Sequence, residues 1–399
     1  MGYATDALVP ARGGLSGDPV VLGNLDLLLH LNLEAALGLR GTSLQLHVQS
    51  SQGGSASSRV GDLQGISSLE APREWRLYEA WIEQRVLAPR LSLLAGVYDI
   101  NGEFDVIPAA GDFLNSSFGF GPEYSLSGPA GPSTYPATSL GVRIKGQPTP
   151  SLYWMLGASD AAPHRPWSSR LSGGFWEGAL LSFEGGYRRF QSMLLPAADM
   201  ALQPEPRGRG RGRVDRPGQR RQRGRIGRGT LIEEMSTKVA VGGWAYTREL
   251  GQWAPGEPPG RSWGAYVLGE QLLHRRGDGS GALSAFARVG TAADEVNRID
   301  LSLLGGLAFG GPFSARPDDV AGLGIAYARN GSPFLREQRK EGLHLERAET
   351  VMELTYRAQL GRFFVLQPNL QWVMSPGMDP GVSDALVLGL RAHVHLELP

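Results

Sequence analysis

The chain has 399 residues, including 56 glycines and no cysteine, and it carries equal numbers of basic and acidic residues. Hydrophobic residues make up 41% of it, the mean hydropathy is −0.19, and no stretch reaches the roughly 18 uncharged apolar residues that a membrane-spanning helix needs. Composition therefore excludes a helical membrane protein, and the lack of cysteine excludes a disulfide framework, a thiolate metal site and a thiol nucleophile.

Residues 1–23 predict only an N-terminal lead-in. They contain glycine, proline and aspartate, without the basic start and apolar core of a signal peptide. Apolar and polar residues alternate too little here to predict a strand. We therefore expect both a signal peptide and a first strand to be missing from this chain.

Strict alternation starts at 24–34, where the leucines from Leu25 to Leu33 share one face and residues such as Asp26 and His30 share the other. This period of two predicts a strand with an apolar and a polar face. We count about fifteen such runs, the last at 386–398. The runs between them lie at 42–50, 75–84, 90–98, 138–147, 151–159, 179–188, 238–247, 262–273, 282–290, 298–308, 320–329, 350–360 and 362–373.

Short and long connections alternate between these runs, as the short periplasmic turns and long external loops of outer-membrane barrels do. The first and last runs then point in the same direction, although antiparallel closure requires opposite directions and an even strand number. The sequence predicts that 24–398 is one all-β domain, a transmembrane antiparallel β-barrel. It would have about sixteen strands in the complete protein, of which the first is missing here.

The same alternation predicts which side chains face the lumen. If Tyr78, Ala80 and Ile82 face lipid, their neighbours face inward, and the rule also turns Arg391 and His393 toward the channel. The loop 99–137 is long for a structureless connection, which predicts that it folds into the lumen as a constriction. The candidate pore-lining and substrate-binding residues are Glu79, Trp81, Glu83, Asp99, Glu103, Asp105, Arg143, Lys145, Phe286 and Arg288.

The segment 206–229 holds ten arginines against one aspartate. Such an Arg/Gly-rich insertion cannot bury apolar surface, so we expect disorder. Strand direction assigns the segment to the periplasmic side, where it could contact anionic lipid or peptidoglycan. An artefact of the gene model is an equal alternative. Nucleic-acid binding is the least favoured reading.

Nine segments, in order along the chain, resemble carbohydrate-selective (OprB-type) porins. They are GDLQG at 61–65, LYEAWIEQ at 77–84, YDINGEFD at 98–105, FLNSSFG at 113–119, TSLGVR at 138–143, RPDDV at 316–320, ELTY at 353–356, LQPNLQ at 366–371 and DALVLGLR at 384–391. Three departures from the family are expected: the first strand is absent, the Arg-rich segment is extra, and the chain ends on Leu398-Pro399 where the family ends on an aromatic residue.

The resemblance implies an integral protein of a Gram-negative outer membrane that passes small neutral carbohydrates, monosaccharides such as glucose, by passive diffusion. It implies no cofactor, no nucleic-acid partner, and contact with membrane lipid and lipopolysaccharide, and it leaves monomer and homotrimer open. The alternative function is a plugged barrel that acts as an interaction or scaffold protein without transport.

Enzymatic activity is not expected. The sequence contains no GxSxG, P-loop or HExxH motif. Adjacent lumen positions explain the carboxylates of Glu79 and Glu83, and two solvated side chains explain the spacing of His393 and His395 better than a metal site does.

Overall fold

The computed structural model describes residues 1–87, 90–163, 178–196, 224–226, 229–277 and 280–396. Strands dominate these residues. They are β1 (Gly2–Arg12), β2 (Val20–Asn32), β3 (Thr42–Gly53), β4 (Glu74–Leu87), β5 (Leu91–Tyr98), β6 (Ser139–Gly146), β7 (Leu152–Asp160), β8 (Ala179–Pro196), β9 (Gly224–Ile226), β10 (Gly229–Leu250), β11 (Gly260–Arg275), β12 (Ala282–Ala292), β13 (Ile299–Gly310), β14 (Val320–Asn330), β15 (Ala348–Gln359), β16 (Phe364–Met374) and β17 (Ala385–His395).

Sixteen of these strands close into an antiparallel barrel, and the three-residue β9 only adds to the edge of β10. The first strand closes the ring, because Tyr3 lies opposite Leu25 of β2 and opposite Val394 of β17. Inside the seam, Asp6 accepts two hydrogen bonds from the Arg391 guanidinium, at 2.7 and 2.8 Å. The prediction of an all-β antiparallel barrel with sixteen strands is therefore confirmed.

The prediction that the first strand is missing was wrong, since β1 supplies it at Gly2–Arg12. The argument that antiparallel closure requires an even number of strands was correct, but the strand lies within residues 1–23, where we expected only a lead-in. Its outward side chains include the weakly apolar Thr5 and Ala7, while its inward side includes Leu8, which is 1% exposed. The apolar contrast between the two faces is therefore faint in sequence, although exposure alternates clearly in the structure.

The outer face of the barrel is apolar, as alternation predicts: Val142 and Ile144 point outward, while Arg143 between them points inward. Exposed aromatic side chains form two belts, the pattern that interfacial anchoring in a bilayer produces. At the end with long loops they are Trp75, Trp263 and Trp372, and at the end with short turns they are Trp154, Tyr187 and Phe363.

Among the residues that the structure describes, helices are short and confined to the connections. They are α1 (Leu33–Leu37), α2 (Ser57–Val60), α3 (Pro122–Ser125) and α4 (Ser332–Lys340), with 3₁₀ turns at Ile100–Gly102, Pro108–Asp112, Ser116–Phe118 and Pro376–Met378. Within the described ranges, no helix is long and apolar enough to cross a membrane.

The Arg/Gly-rich segment 206–229 connects β8 to β10 at the end with short turns. Apart from Gly224–Ile226 and Gly229, it lies outside the described residues. The disorder and the partners predicted for it stay predictions.

Candidate functional site

Two loops fold into the barrel from the end with long loops. The long inward loop, 99–138, joins β5 to β6, and the short inward loop, 54–73, joins β3 to β4. Both bury apolar side chains completely, among them Phe104 and Tyr124 in the long loop and Ile66 in the short one. Sequence reasoning anticipated only the long loop, although Val60, Leu63, Ile66 and Leu69 recur at every third position of the short one.

The two inward loops also touch each other. The Ser116 backbone N–H donates to the Gly65 carbonyl at 2.9 Å, and the Ser68 N–H donates to the Leu114 carbonyl at 2.8 Å. Together they narrow the barrel from two sides.

An aromatic cluster attaches the long inward loop to the wall. Phe113 stacks on Phe118 with their ring centres 4.5 Å apart, and Phe286 of β12 meets Phe113 edge-on at 5.5 Å. Further along, Tyr124 stacks on Trp244 of β10 at 4.9 Å. Phe286, one of the predicted pore residues, therefore lies beneath the loop at 4% exposure and holds it.

Wall glutamates hold both loops by their backbones. A carboxylate that accepts backbone N–H groups forms charge-assisted hydrogen bonds, which are stronger than neutral ones. The pairs are Glu79 with the N–H of Asp99, Glu184 with Asp105, Glu270 with Ala109, Glu353 with Leu114 and Asn115, and Glu349 with Leu63 and Gln64. Glu79 is thus a loop contact as well as an inward wall residue.

Two more predicted residues, Asp105 and Arg288, form a buried ion pair under the long loop. The Arg288 Nε and Nη2 donate to the two Asp105 oxygens at 2.7 Å each, and Nη2 also donates to Glu123 at 2.6 Å. All three side chains are at most 1% exposed. This pair anchors the loop away from water.

A partly exposed charge network joins the start of the long loop to β4 and β6. Arg143 of β6 donates from Nη2 to Glu83 at 2.9 Å and to Glu103 at 2.8 Å, while the Lys145 ammonium donates to Glu103 at 2.9 Å. Arg143 is 1% exposed, whereas Glu103 and Lys145 keep 21% and 30% of their side chains exposed. Burial alone would raise the pKa of Glu103, but the charges of Lys145 and Arg143 outweigh it and lower the pKa to about 2.

The long loop begins beside β4. Asp99 caps its first turn by accepting from the Asn101 N–H at 2.9 Å, and it also accepts the Tyr78 hydroxyl proton at 2.5 Å. Burial, with a further contribution from the charge of Glu79, raises the pKa of Asp99 to about 6 although the Tyr78 hydrogen bond opposes this. Tyr78 therefore faces inward, against the prediction that it faces lipid, because the pairing with β3 shifts register between His47 and Val48.

Trp81 is the remaining predicted residue, and it lies half-buried on the inner face of β4. Its ring meets His30 edge-on at 6.0 Å. Next to it, Glu79 accepts from Gln45 at 2.6 Å, and His47 lies 2.9 Å from Asp26. These side chains line the wall of β2–β4 with alternating donors and acceptors.

A cavity of about 180 Å³ lies on the other flank, between the long loop and strands β15–β17 and β1. Arg357 and Arg391 line it, each beside an acid, since Arg357 lies 3.7 Å from Asp112 and Arg391 pairs with Asp6. The inward direction predicted for Arg391 and His393 agrees with their positions in this lining. Gln367 and Gly111 also line it, and alternation alone did not single them out.

Two glycines of the long inward loop border open space. No heavy atom lies within 4 Å of the position that a Cβ would take at Gly102 or at Gly111. Among the described residues, no group of three or more His, Asp or Glu side chains could hold a metal ion.

Comparison with known proteins gives consistent matches along the chain. A family model described as "Carbohydrate-selective porin, OprB family" matches residues 17–396. Porin B of Pseudomonas aeruginosa is 26% identical over 418 residues, covering 98% of this chain and 85% of that protein.

Two solved structures share the fold. The high-pH structure of Pseudomonas putida OprB covers 98% of this chain and 92% of its own, with a TM-score of 0.77 and 21% identity. The low-pH structure of the same protein covers 98% and 90%, with a TM-score of 0.57 and 18% identity. At these identities the structures support the architecture alone.

Proposed function

Because the chain belongs to the OprB family of carbohydrate-selective porins, which are outer-membrane channels and not enzymes, we propose that neutral monosaccharides such as glucose are its cargo. They cross the barrel along the side of the lumen that the long inward loop leaves open. The observation that carries this proposal is the Glu103–Arg143–Lys145–Glu83 network, in which Glu103 and Lys145 keep 21% and 30% of their side chains exposed beside the loop.

Charge balance favours neutral solutes on this path. The network holds two carboxylates and two cations, and on the other flank Arg391 and Arg357 each lie beside an aspartate. Such compensated groups attract neither anions nor cations strongly, yet they present hydrogen-bond donors and acceptors to sugar hydroxyls. A polar but neutral lining therefore selects for polyols.

Trp81 adds the second element of sugar recognition. A half-buried indole ring offers an apolar face on which the C–H surface of a pyranose packs, while its neighbours supply hydrogen bonds. Contacts of this kind bind weakly, and conduction requires weak binding so that each sugar leaves as readily as it enters.

We extend the proposal to the membrane partners. The leucine-rich outer face and the two aromatic belts contact lipid hydrocarbon and its interfaces, and the end with long loops faces the lipopolysaccharide leaflet.

The test is solute-induced swelling of liposomes that contain the purified chain. Gly111→Trp places an indole in the open lumen without a steric conflict at the backbone, because nothing lies near the Cβ position. We expect the glucose rate to fall about fivefold or more, since a pore conducts only while its narrowest section stays open. Gly251→Trp is the matched control, because Gly251 has the same free space but lies in the exposed loop 251–259.

Equal rates for Gly111→Trp and Gly251→Trp would contradict the proposed path. Absence of glucose flux through the unmodified barrel would contradict transport altogether. That result would favour the alternative function, a plugged barrel that acts as a scaffold. The specific observation on the side of this alternative is the contact between the two inward loops.

A further inference from the structure

A second cavity lies at the outer entrance and is separate from the path proposed above. Its volume is about 390 Å³, and it opens between the short inward loop and the loops 13–19, 293–298, 331–347 and 375–384. All five connections leave the barrel at the end with long loops. A solute that approaches from outside therefore meets this cavity before it meets the constriction.

The cavity contains a fixed cation. The Nε of Arg298 donates to the Asn330 side-chain oxygen at 3.0 Å, and its Nη2 donates to the Gly377 carbonyl at 3.0 Å. Its guanidinium also lies over the Phe334 ring, 5.2 Å from the ring centre. Asn330 is itself held, because its amide donates to the Glu346 carbonyl at 3.0 Å.

Such a guanidinium is pre-organised, so a ligand that hydrogen-bonds to it does not have to restrain it first. Between the described groups, no hydrogen bond occupies the remaining Nη1 of Arg298. This nitrogen is a donor that a ligand in the cavity can use.

The rest of the lining mixes apolar and polar side chains. Leu63 and Phe334 provide apolar surface, and Gln338, Asp62 and Asp379 provide amide and carboxyl groups. One cation beside two carboxyl groups gives no excess of positive charge for a phosphate or a sugar acid. A cavity of this size, with apolar surface beside a few fixed polar groups, has the dimensions of a small-molecule site.

We propose that this cavity is an outer docking site for a neutral sugar, which concentrates the cargo at the channel mouth. The inference rests on the proposed function, since it assumes that the cargo is a sugar. The short inward loop links the two places: Asp62 and Leu63 line the cavity, whereas the Gly65 carbonyl accepts from Ser116 of the long loop. A sugar released from the cavity thus starts beside the constriction.

The test measures uptake of labelled D-glucose into liposomes as a function of glucose concentration. Gln338→Trp fills the cavity from α4, where the Gln338 amide donates only to Glu341, at 3.2 Å. Loss of the site should lower uptake about threefold or more at low glucose and leave the maximal rate unchanged, because only occupancy of the entrance changes. Arg339→Trp, on the exposed side of the same helix, is the control and should match the unmodified protein.

Asp379→Ala serves as a second variant with a milder change, since this exposed side chain accepts only from the Gly381 N–H, at 2.8 Å. It should weaken low-concentration uptake in the same direction. Equal uptake curves for Gln338→Trp, Asp379→Ala and Arg339→Trp would overturn the docking site.

Binding to the blocked pore separates this inference from the proposed function. In detergent, adding Gln338→Trp to the Gly111→Trp protein should lower the glucose saturation-transfer NMR signal, whereas adding Arg339→Trp should leave it unchanged. Equal signals from these two double variants would overturn the docking site and leave the channel proposal intact. Absence of glucose flux through the unmodified barrel, with binding at the cavity retained, would overturn the channel proposal instead.

Discussion

The wall of the barrel divides into two arcs that use inward side chains differently. The covered arc comprises β7–β14. Its inward side chains pack against the long inward loop or form buried ion pairs with it, as Phe286, Trp244 and Arg288 do. In the open arc, β15–β17 and β1–β6, charged side chains pair with each other, and some of them, such as Lys145, keep part of their surface exposed. The same alternation that turns a side chain inward therefore makes an anchor in one arc and a pore lining in the other.

The largest effect should come from breaking a buried pair of the covered arc. Arg288→Met leaves Asp105 and Glu123 buried without their cation, which costs roughly 3 to 5 kcal/mol for such pairs. The free energy of unfolding by urea in detergent measures the cost, and single-channel recordings should show larger current fluctuations as the loop loosens.

Its control is Arg59→Met, which removes an exposed ion pair with Asp18 at 3.4 Å. Such pairs contribute at most about 1 kcal/mol. If Arg288→Met were no more destabilising than Arg59→Met, the loop would not depend on the covered arc.

A smaller effect should follow from Glu353→Gln at the border between the arcs. The carboxylate of Glu353 accepts the N–H groups of Leu114 and Asn115 at 2.7 and 2.9 Å, and an amide of the same size replaces one acceptor oxygen by a donor. Loss of one hydrogen bond to a charged acceptor costs about 1.5 to 3 kcal/mol. Urea unfolding measures it against the exposed substitution Glu257→Gln, and equal stabilities would show that the loop backbone does not need this contact.

In the open arc, Lys145→Met should change selectivity more than stability. The side chain is 30% exposed, so its loss should change the free energy of unfolding by about 1 kcal/mol or less. Glu103 would then face the lumen with only Arg143 beside it, and the channel should become more cation-selective. The reversal potential in a salt gradient measures this, and an unchanged potential combined with a large loss of stability would place Lys145 among the anchors.

The last effect concerns pH. The pKa of Glu103 is lowered from 4.5 to about 2, so its ionised form stabilises the fold above pH 4.5, and this contribution is lost as the pH falls toward 2. The difference in unfolding free energy between the unmodified chain and Glu103→Gln should be constant from pH 7 to 5 and shrink below 4.5. A difference that grows on acidification would contradict the ion pairs assigned to Glu103.

The sequence predicts the barrel well because alternation is a local property that lipid enforces on every strand, as with Val142, Arg143 and Ile144. It failed at β1, where Leu8 faces inward and Ala7 outward, and at Tyr78, where a shift in register turns two successive side chains inward. Alternation in the sequence reveals neither the reversed faces of β1 nor the register shift beside Tyr78.

The site was predicted only as a set of inward residues. Alternation gives the same direction to Lys145 and Arg288, yet Lys145 keeps 30% of its side chain exposed whereas Arg288, at 1%, lies under the loop. That distinction depends on the path of the long loop, which is set by contacts far apart in the chain, such as Asp105 with Glu184. The short inward loop went unnoticed because its apolar residues follow a period of three rather than two.

The chain has no cysteine, so single cysteines report directly which arc is open to water. Reaction with a charged thiol reagent should be fast and should block glucose flux for Gly102→Cys and Gly111→Cys, whose side chains enter open space. Ala240→Cys and Ala326→Cys, beneath the long loop at 2% and 1% exposure, should stay unmodified. Fast modification of Ala240→Cys and Ala326→Cys, with Gly102→Cys and Gly111→Cys unreactive, would contradict the division of the lumen into a covered and an open arc.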